Sequence, residues 1–523
     1  MRLRLSAGGA AALAVLSVLC LAAPGRAQDH SDIVPRGDIA YDLLGSLAAQ
    51  GRLPGYTLRD FARGDRLYTR DEIARMLASE LPDTMVDRLA VSQRILRERF
   101  APELFHADPS LFTLDPSVPA HSAELGGWAK ARGLTDPSAG GVIGRFSAAL
   151  PFGRDGYAVI GGGNWRDEWQ GRHSLTPPGH YDFLENAYIH VNGRALDVTV
   201  GRAPVRWGNG YSGALLVGDQ APSIPQIAVD KSFLLPGALG RHIGRLNFNE
   251  FLGEFWEANN PNAQPDAQGT RRELIGRRLV ARGGPWSFSI AEAMKSTHLP
   301  DPIWAAILPL YLYQNDWTAN RKKHYLPFLA TRREPDTFWK NYQADAGMSY
   351  QADPRTGLLL YTELLIDDIK SPKGVGNGFK TPQKLGEQYG VYLPRIGGAS
   401  HYGARIEYTT INPGTYTNDS APVAWTQNGA SLAYPTGPNS RVLFGRLDAA
   451  LTDRTRLSLE GATRREYGAP FPGYAVARDD RLGAYASYSL SRNAFLGARL
   501  DHVHDEIAHT HVTRLEANAT VGF

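Results

Sequence analysis

Beyond about residue 121 the chain alternates. From His511 onward, Thr513, Leu515, Ala517, Ala519 and Val521 share one face of an extended segment with Phe523, and Arg514, Glu516, Asn518 and Thr520 share the other. The same period of two recurs at Leu196, Val198 and Val200 against Asp197 and Thr199, and at Leu482, Ala484, Ala486 and Tyr488 against Arg481 and Ser487. A period of two sets each group on one face of a strand. Roughly sixteen to nineteen such runs are separated by Gly, Pro, Asn and Asp turns. No stretch after the N-terminus reaches the ~20 apolar residues of a helical membrane span. A half-apolar strand ending on an aromatic is the form in which outer-membrane barrels close. The pattern predicts a transmembrane antiparallel β-barrel over residues 119–523, with an even strand number: about 18, or 16.

Before that region the period is helical. Asp38 is placed to cap a segment whose Leu43, Leu44, Leu47 and Ala48 share a face and which stops at Gly51. Thr69 and Glu72 have the spacing of a capping box ahead of Ile73, Met76 and Leu77. Val86, Leu89, Gln93, Leu96 and Phe100 predict a third helix. Residues 28–118 are therefore expected to form a small periplasmic helical domain, closed by Pro109 and Pro116. Residues 1–27 read as a secretory signal peptide: Met1-Arg2-Leu3-Arg4, an apolar run from Ala10 to Ala23, and Gly25-Arg26-Ala27. The one cysteine, Cys20, follows Leu19 inside that run, so neither lipidation nor a disulfide is expected.

Composition then narrows the function. A net charge of +3 with 21% charged residues gives no basic surface for nucleic acid, which is not an expected partner. Tyr 23 and Trp 10 suit interfacial aromatic girdles. A mean hydropathy of −0.31 is compatible with a barrel that shows lipid only every second residue.

The polar faces carry chemistry. Arg405/Glu407, Arg446/Asp448, Arg499/Asp501 and Arg514/Glu516 stand two residues apart on single strand faces. An Arg at the bilayer midplane costs about 2–4 kcal/mol, so these faces are expected to line a lumen of mixed charge. Near the end of the chain, His502, His504, His509 and His511 flank a turn expected over Asp505–Ala508. They would stand on the outer face above the bilayer, first as polar tips in the headgroup zone, otherwise as imidazoles that bind a transition metal or as imidazolium contacts to lipopolysaccharide phosphates. No metal and no cofactor is expected.

The richest segment runs from Gly201 to Leu216. Arg202, Arg206, Trp207, Asn209 and Tyr211 combine forked donors and flat aromatic faces with glycines, which suits a sugar bearing hydroxyls and carboxylates. A structural loop wedged inside the barrel would carry the same residues.

This segment, with Gly201-Arg202, Trp207-Gly208-Asn209-Gly210 and Leu215-Leu216, resembles the Wzi-type capsule assembly proteins. Tyr361-Thr362-Glu363, Asp367-Asp368 and Glu407-Tyr408-Thr409 extend the resemblance, as does a helical region ahead of a barrel. The family's Trp-Gly step is usually followed by Pro, where this chain has Asn209. The resemblance implies an eighteen-stranded barrel with a periplasmic helical bundle and a lectin-like role. The expected partners are capsular or exopolysaccharide, outer-membrane lipid and lipopolysaccharide, with the polysaccharide export machinery a further one. The chain is expected to act as a monomer. Candidate polysaccharide-binding residues are Arg202, Arg206, Trp207, Asn209, Tyr211, Trp317, Asn320, Arg321, Asp367 and Asp368. A diffusion porin is the alternative. An outer-membrane hydrolase is the weakest reading, because no strained Gly-x-Ser-x-Gly turn accompanies the histidines; the chain is expected not to be an enzyme.

Overall fold

The computed structural model describes residues 34, 39–49, 52–53, 56, 61, 68, 70–78, 96–97 and 100 of the N-terminal region. Of the rest it describes 121–132, 136–152, 156–163, 186–192, 196–218, 223–235, 244–257, 270–296, 340–353, 357–367, 384–396, 402–416, 425–427, 430–452, 454–467, 476–491 and 494–522. The signal segment and much of the expected third helix lie outside these residues.

The strands are β1 (His121–Arg132), β2 (Asp136–Phe152), β3 (Gly156–Gly163), β4 (Asn186–Asn192), β5 (Asp197–Ala203), β6 (Ile224–Leu234) and β7 (Arg245–Glu257). They continue as β8 (Thr270–Gly283), β9 (Trp286–Ser296), β10 (Lys340–Asp353), β11 (Leu358–Asp367), β12 (Leu385–Leu393) and β13 (Tyr402–Ile411). After the short hairpin β14 (Thr426–Gln427) and β15 (Ala430–Ser431) come β16 (Ser440–Ala450), β17 (Thr455–Tyr467), β18 (Val476–Ser491), β19 (Ala494–Asp505) and β20 (Thr510–Gly522). All but the hairpin belong to one 18-stranded sheet. Each strand pairs antiparallel with its neighbours in sequence, β13 with β16 across the hairpin. β20 returns to β1, from Ser122↔Gly522 to Arg132↔Val512. Closure removes every edge, so the wall needs no water to satisfy its backbone groups.

The predicted alternation is the burial pattern. In β11, Leu359, Tyr361, Glu363, Leu365 and Asp367 are buried, whereas Leu360 and Leu364 are exposed on the other face. Leu443, Leu447, Leu459, Leu482, Leu500 and Leu515 form the exposed apolar belt of the later strands. Trp286, Phe288 and Tyr350 stack near the end of that belt on β9 and β10, with the first two centroids 5.8 Å apart.

An even strand number puts both barrel ends at one rim. Connections there include 153–155, 193–196, 284–285 and 451–454, while the other rim carries 164–185, 297–339, 368–384 and 412–439. Short turns mark the periplasmic side and long loops the outside, which orients the barrel.

The N-terminal region has its own core. Helices Ile39–Ala49 and Arg70–Ala78 bury Leu43, Leu44 and Leu47 against Ile73, Met76 and Leu77. Leu96 and Phe100, the described part of the expected third helix, join the same cluster. The Tyr41 hydroxyl donates to Val34 O at 2.8 Å and accepts from Tyr68 N–H at 3.1 Å.

The histidine hairpin differs from its expected register. The turn falls at Glu506–His509, Asp505 faces Thr510, His504 faces His511, and His502 faces Thr513. Asp505 Oδ1 accepts the N–H groups of Ile507 and Ala508, both at 3.0 Å, which starts the turn one residue later than expected. His509 takes the left-handed conformation at φ 50 and leaves the ladder.

Candidate functional site

The lumen is filled from the outer rim by two connections. Segment 204–218, after β5, descends to Tyr211 and climbs back. The described residues of connection 412–439, which carries the β14–β15 hairpin, pack against it. Together Trp207, Leu215, Leu216 and Val217 meet Tyr416, Trp425, Leu432 and Tyr434 in one apolar cluster, walled by Ile224, Phe251, Leu274, Leu365, Ile411 and Val442. The Trp207 ring stands edge-on to Phe251, centroids 5.0 Å apart. It lies over Gly276, where an added Cβ would come within 2.7 Å of the indole. Gly208 is equally constrained, because a Cβ there would meet Ala214 Cα at 2.8 Å.

A descending loop leaves backbone N–H groups without ladder partners, and buried donors must be satisfied. Two wall carboxylates do this. Glu363 of β11 accepts Asn209 N–H at 2.8 Å and Leu215 N–H at 3.0 Å. Glu407 of β13 accepts Tyr211 N–H at 2.6 Å and Ser212 N–H at 2.7 Å, and also the Tyr361 hydroxyl. Asp367 takes Tyr416 N–H at 2.6 Å, fixing the second connection. The two connections are tied directly as well: the Tyr416 hydroxyl donates to Leu215 O at 2.7 Å, Trp425 Nε1 to Leu216 O at 2.8 Å, and Gly218 N–H to Leu432 O at 2.7 Å. Lys295 of β9 donates to Thr426 O at 2.6 Å. Burial pushes the Tyr434 phenol up to about 12 and raises that of Tyr416 as well, so both remain neutral hydrogen-bonding groups.

Much of the Gly201–Leu216 segment, expected to bind polysaccharide, folds into this cluster. Arg206 is 1% exposed and Trp207 2%, and the Arg206 guanidinium donates to Gly210 O within the loop itself. Asn209 is buried with its side-chain amide on Thr362 O at 3.1 Å, and Asp367 is 0% exposed. Tyr211 lies at the deepest point, with the Arg405 and Arg446 guanidiniums over its ring at 4.4 and 4.8 Å and Phe444 stacked on it at 5.8 Å. Arg206, Trp207 and Asn209 are buried within the plug and Asp367 on the wall that pins it, whereas Tyr211 is half-buried. Arg202 shares the outward face of β5 with Val200, away from the lumen. Trp317, Asn320, Arg321 and Asp368 lie outside the described residues.

Below the plug, Arg446 pairs with Asp448 at 2.7 Å and Glu460 at 2.9 Å, and Asp501 with Arg481 at 2.6 Å and Arg499 at 2.8 Å. The mixed-charge lumen expected from these pairs is present. Arg405 differs: it lies over Tyr211 and Tyr392, leaving Glu407 to the loop. The wall carboxylates are what sequence reasoning missed as pins. The available signal was that Glu363 has no cation two residues away on its own face, unlike Asp448 or Asp501.

Among the described residues no group of three His, Cys, Asp or Glu is arranged to hold a metal ion. His504 and His511 stack at 4.4 Å, face against face, and His511 Nδ1 lies 3.3 Å from His502 Nε2.

The geometry defines a class: an eighteen-stranded outer-membrane barrel with two of its outer connections packed into the lumen. Its fold is that of Wzi from Escherichia coli, described as an outer-membrane protein of group 1 capsule assembly and a carbohydrate-binding β-barrel. The two match with a TM-score of 0.65 at 14% identity, over 94% of this chain and 100% of that one. Two Pseudomonas aeruginosa proteins, the outer-membrane protein OpdK and OccK3, are more distant, with TM-scores of 0.41 and 0.39 at 12% identity. Each covers 77% of this chain, and the matches take in 98% and 95% of theirs. No protein-family model and no curated relative matches the sequence.

Proposed function

We propose that this chain is a non-enzymatic, polysaccharide-binding barrel that holds capsular or exopolysaccharide at the cell surface, with its N-terminal helices on the periplasmic side. The observation that carries the reading is the pinned plug. Loops fastened inside the lumen by buried Glu363, Glu407 and Asp367 obstruct diffusion through it. A binding protein gains a fixed floor beneath its outer loops. The fold shared with a carbohydrate-binding barrel supports the same reading.

With the Trp207 segment committed to the plug, recognition falls to the outer rim. Trp317, Asn320 and Arg321 in connection 297–339, Asp368 at the end of β11 and Arg202 at the end of β5 are the residues that carry it. Aromatic faces and forked donors at a rim suit a chain of sugars longer than any pocket. The test is retention of the purified full chain on immobilised surface polysaccharide from its own host. Wild-type protein is retained, and the pair Trp317→Ala with Arg321→Ala is not. Absence of retention for wild type removes the reading.

A further inference from the structure

We infer that the outward faces of β16, β17 and β18, at the outer rim, form a binding site for the phosphorylated headgroup of an outer-leaflet lipid of the lipid A type. Three arginines stand in line there. Arg441 is directly opposite Arg465, and Arg465 directly opposite Arg478, on three consecutive strands. Like charges directly opposite one another destabilise a sheet.

Arg465 is neutralised within the protein, by Asp480 at 3.2 Å and Glu506 at 2.6 Å. Arg441 and Arg478 form no ion pair with any described residue. Their guanidinium carbons instead stand 5.9 and 5.8 Å from the centroid of the Tyr467 ring, which is 44% exposed. Two open forks thus flank one phenol, with the third cation held in place beside them.

The position selects the ligand. The outward positions on these strands continue to Leu443 and Leu447 on β16, Leu459 on β17 and Leu482 on β18, all exposed in the apolar belt. The arginines come where that belt gives way to the outer rim, which is the depth of lipid headgroups, with an amphipathic tyrosine at the same level. Guanidinium forks match phosphate oxygens in pairs. A lipid anchored in the leaflet reaches this outward surface from the side, whereas a polysaccharide on the outer loops lies across the mouth. The site is therefore separate from the one that holds the glycan.

The experiment uses the full chain in detergent, titrated with bisphosphorylated lipid A, dephosphorylated lipid A, inorganic phosphate and the host's soluble acidic polysaccharide, with bound lipid counted by native mass spectrometry. Wild type binds bisphosphorylated lipid A saturably. The double variant Arg441→Gln/Arg478→Gln, whose sites are exposed and whose folding is checked by the heat-induced gel shift, binds it about thirty-fold more weakly, at ~1 kcal/mol per arginine near the surface. Each single variant loses part of that. Equal binding by the double variant, equal binding of dephosphorylated lipid, saturation by inorganic phosphate alone, or displacement of the lipid by soluble polysaccharide overturns the inference. None of these results bears on retention of the chain by immobilised glycan.

Discussion

Glu363 accepts the backbone N–H of Asn209 at 2.8 Å through one carboxylate oxygen, while its other oxygen takes Leu215 N–H at 3.0 Å. One side chain on the barrel wall thus holds both limbs of the descending loop. In Glu363→Gln the amide offers a single acceptor, and its NH2 group faces a second N–H. A hydrogen bond to a charged group contributes about 1.5–3 kcal/mol. The variant barrel should remain folded while segment 206–216 loses protection, read as faster amide hydrogen exchange there and new proteolytic cuts. Unchanged protection would show that apolar packing alone holds the loop.

The same contact gives meaning to Asn209, which stands where Wzi-type proteins usually have proline. Its N–H is a donor that proline lacks. Asn209→Pro should leave a buried Glu363 oxygen unpaired and loosen the loop as Glu363→Gln does, measured by the same exchange experiment. A protected loop in that variant would mean that Glu363 finds another donor.

Gly276 lets the Trp207 indole lie flat against β8. In Gly276→Ala the new methyl would approach the indole to 2.7 Å and Phe251 to 2.5 Å. Overpacking of this kind costs about 1–3 kcal/mol. The unfolding temperature of the detergent-solubilised barrel should fall, and it should be restored in part when Phe251→Leu is added to make room.

Two neighbouring carboxylates on β18 should behave oppositely. Asp479 is 0% exposed and accepts from Arg464 Nε at 3.0 Å, facing the lumen, whereas Asp480 pairs with a half-exposed Arg465 at 3.2 Å on the outer face. Glu466, 3.4 Å from the same guanidinium, still pairs with Arg464 once Asp479 is gone, so the loss is that of a buried hydrogen bond between charged groups, about 1.5–3 kcal/mol. Exposed pairs contribute about 0–1 kcal/mol. Asp479→Ala should lower the unfolding temperature strongly and Asp480→Ala hardly at all.

Alkaline pH should loosen the plug. Burial raises the phenols of Tyr434, to about 12, and Tyr416 above the ordinary value of 10.0. Between those values the folded plug keeps protons that an opened one releases, so its stability falls as pH rises from about 10 toward 12. Below pH 10 these two groups contribute no pH dependence. Hydrogen exchange in 412–439, corrected for the intrinsic rate, should accelerate across that window in wild type and less so in Tyr434→Phe.

The wall was legible in the sequence because a barrel strand states its two environments in alternate letters: Leu443 and Leu447 against Arg446 and Asp448 needed no other information. The helices around Leu44 and Ile73 were legible for the matching reason at period 3.6. The direction in which a connection folds is not written in any local pattern. Arg206, Trp207 and Asn209 have the composition of a glycan site and of a hydrogen-bonded plug alike, and what separates them is the pair Glu363 and Glu407, remote in sequence. The three segments that carry the resemblance to Wzi-type proteins, around Trp207, Glu363 and Glu407, meet at this latch. The histidine turn was misplaced by one residue because the Asp505 side chain sets its start, and alternation alone cannot see a capped turn.

Single-channel conductance in a planar bilayer tests the plugged lumen most directly. Wild-type protein should give little or no current, because two outer connections are packed into the lumen, and Glu363→Ala combined with Glu407→Ala should produce open steps. Large, steady pores from wild-type protein would contradict it.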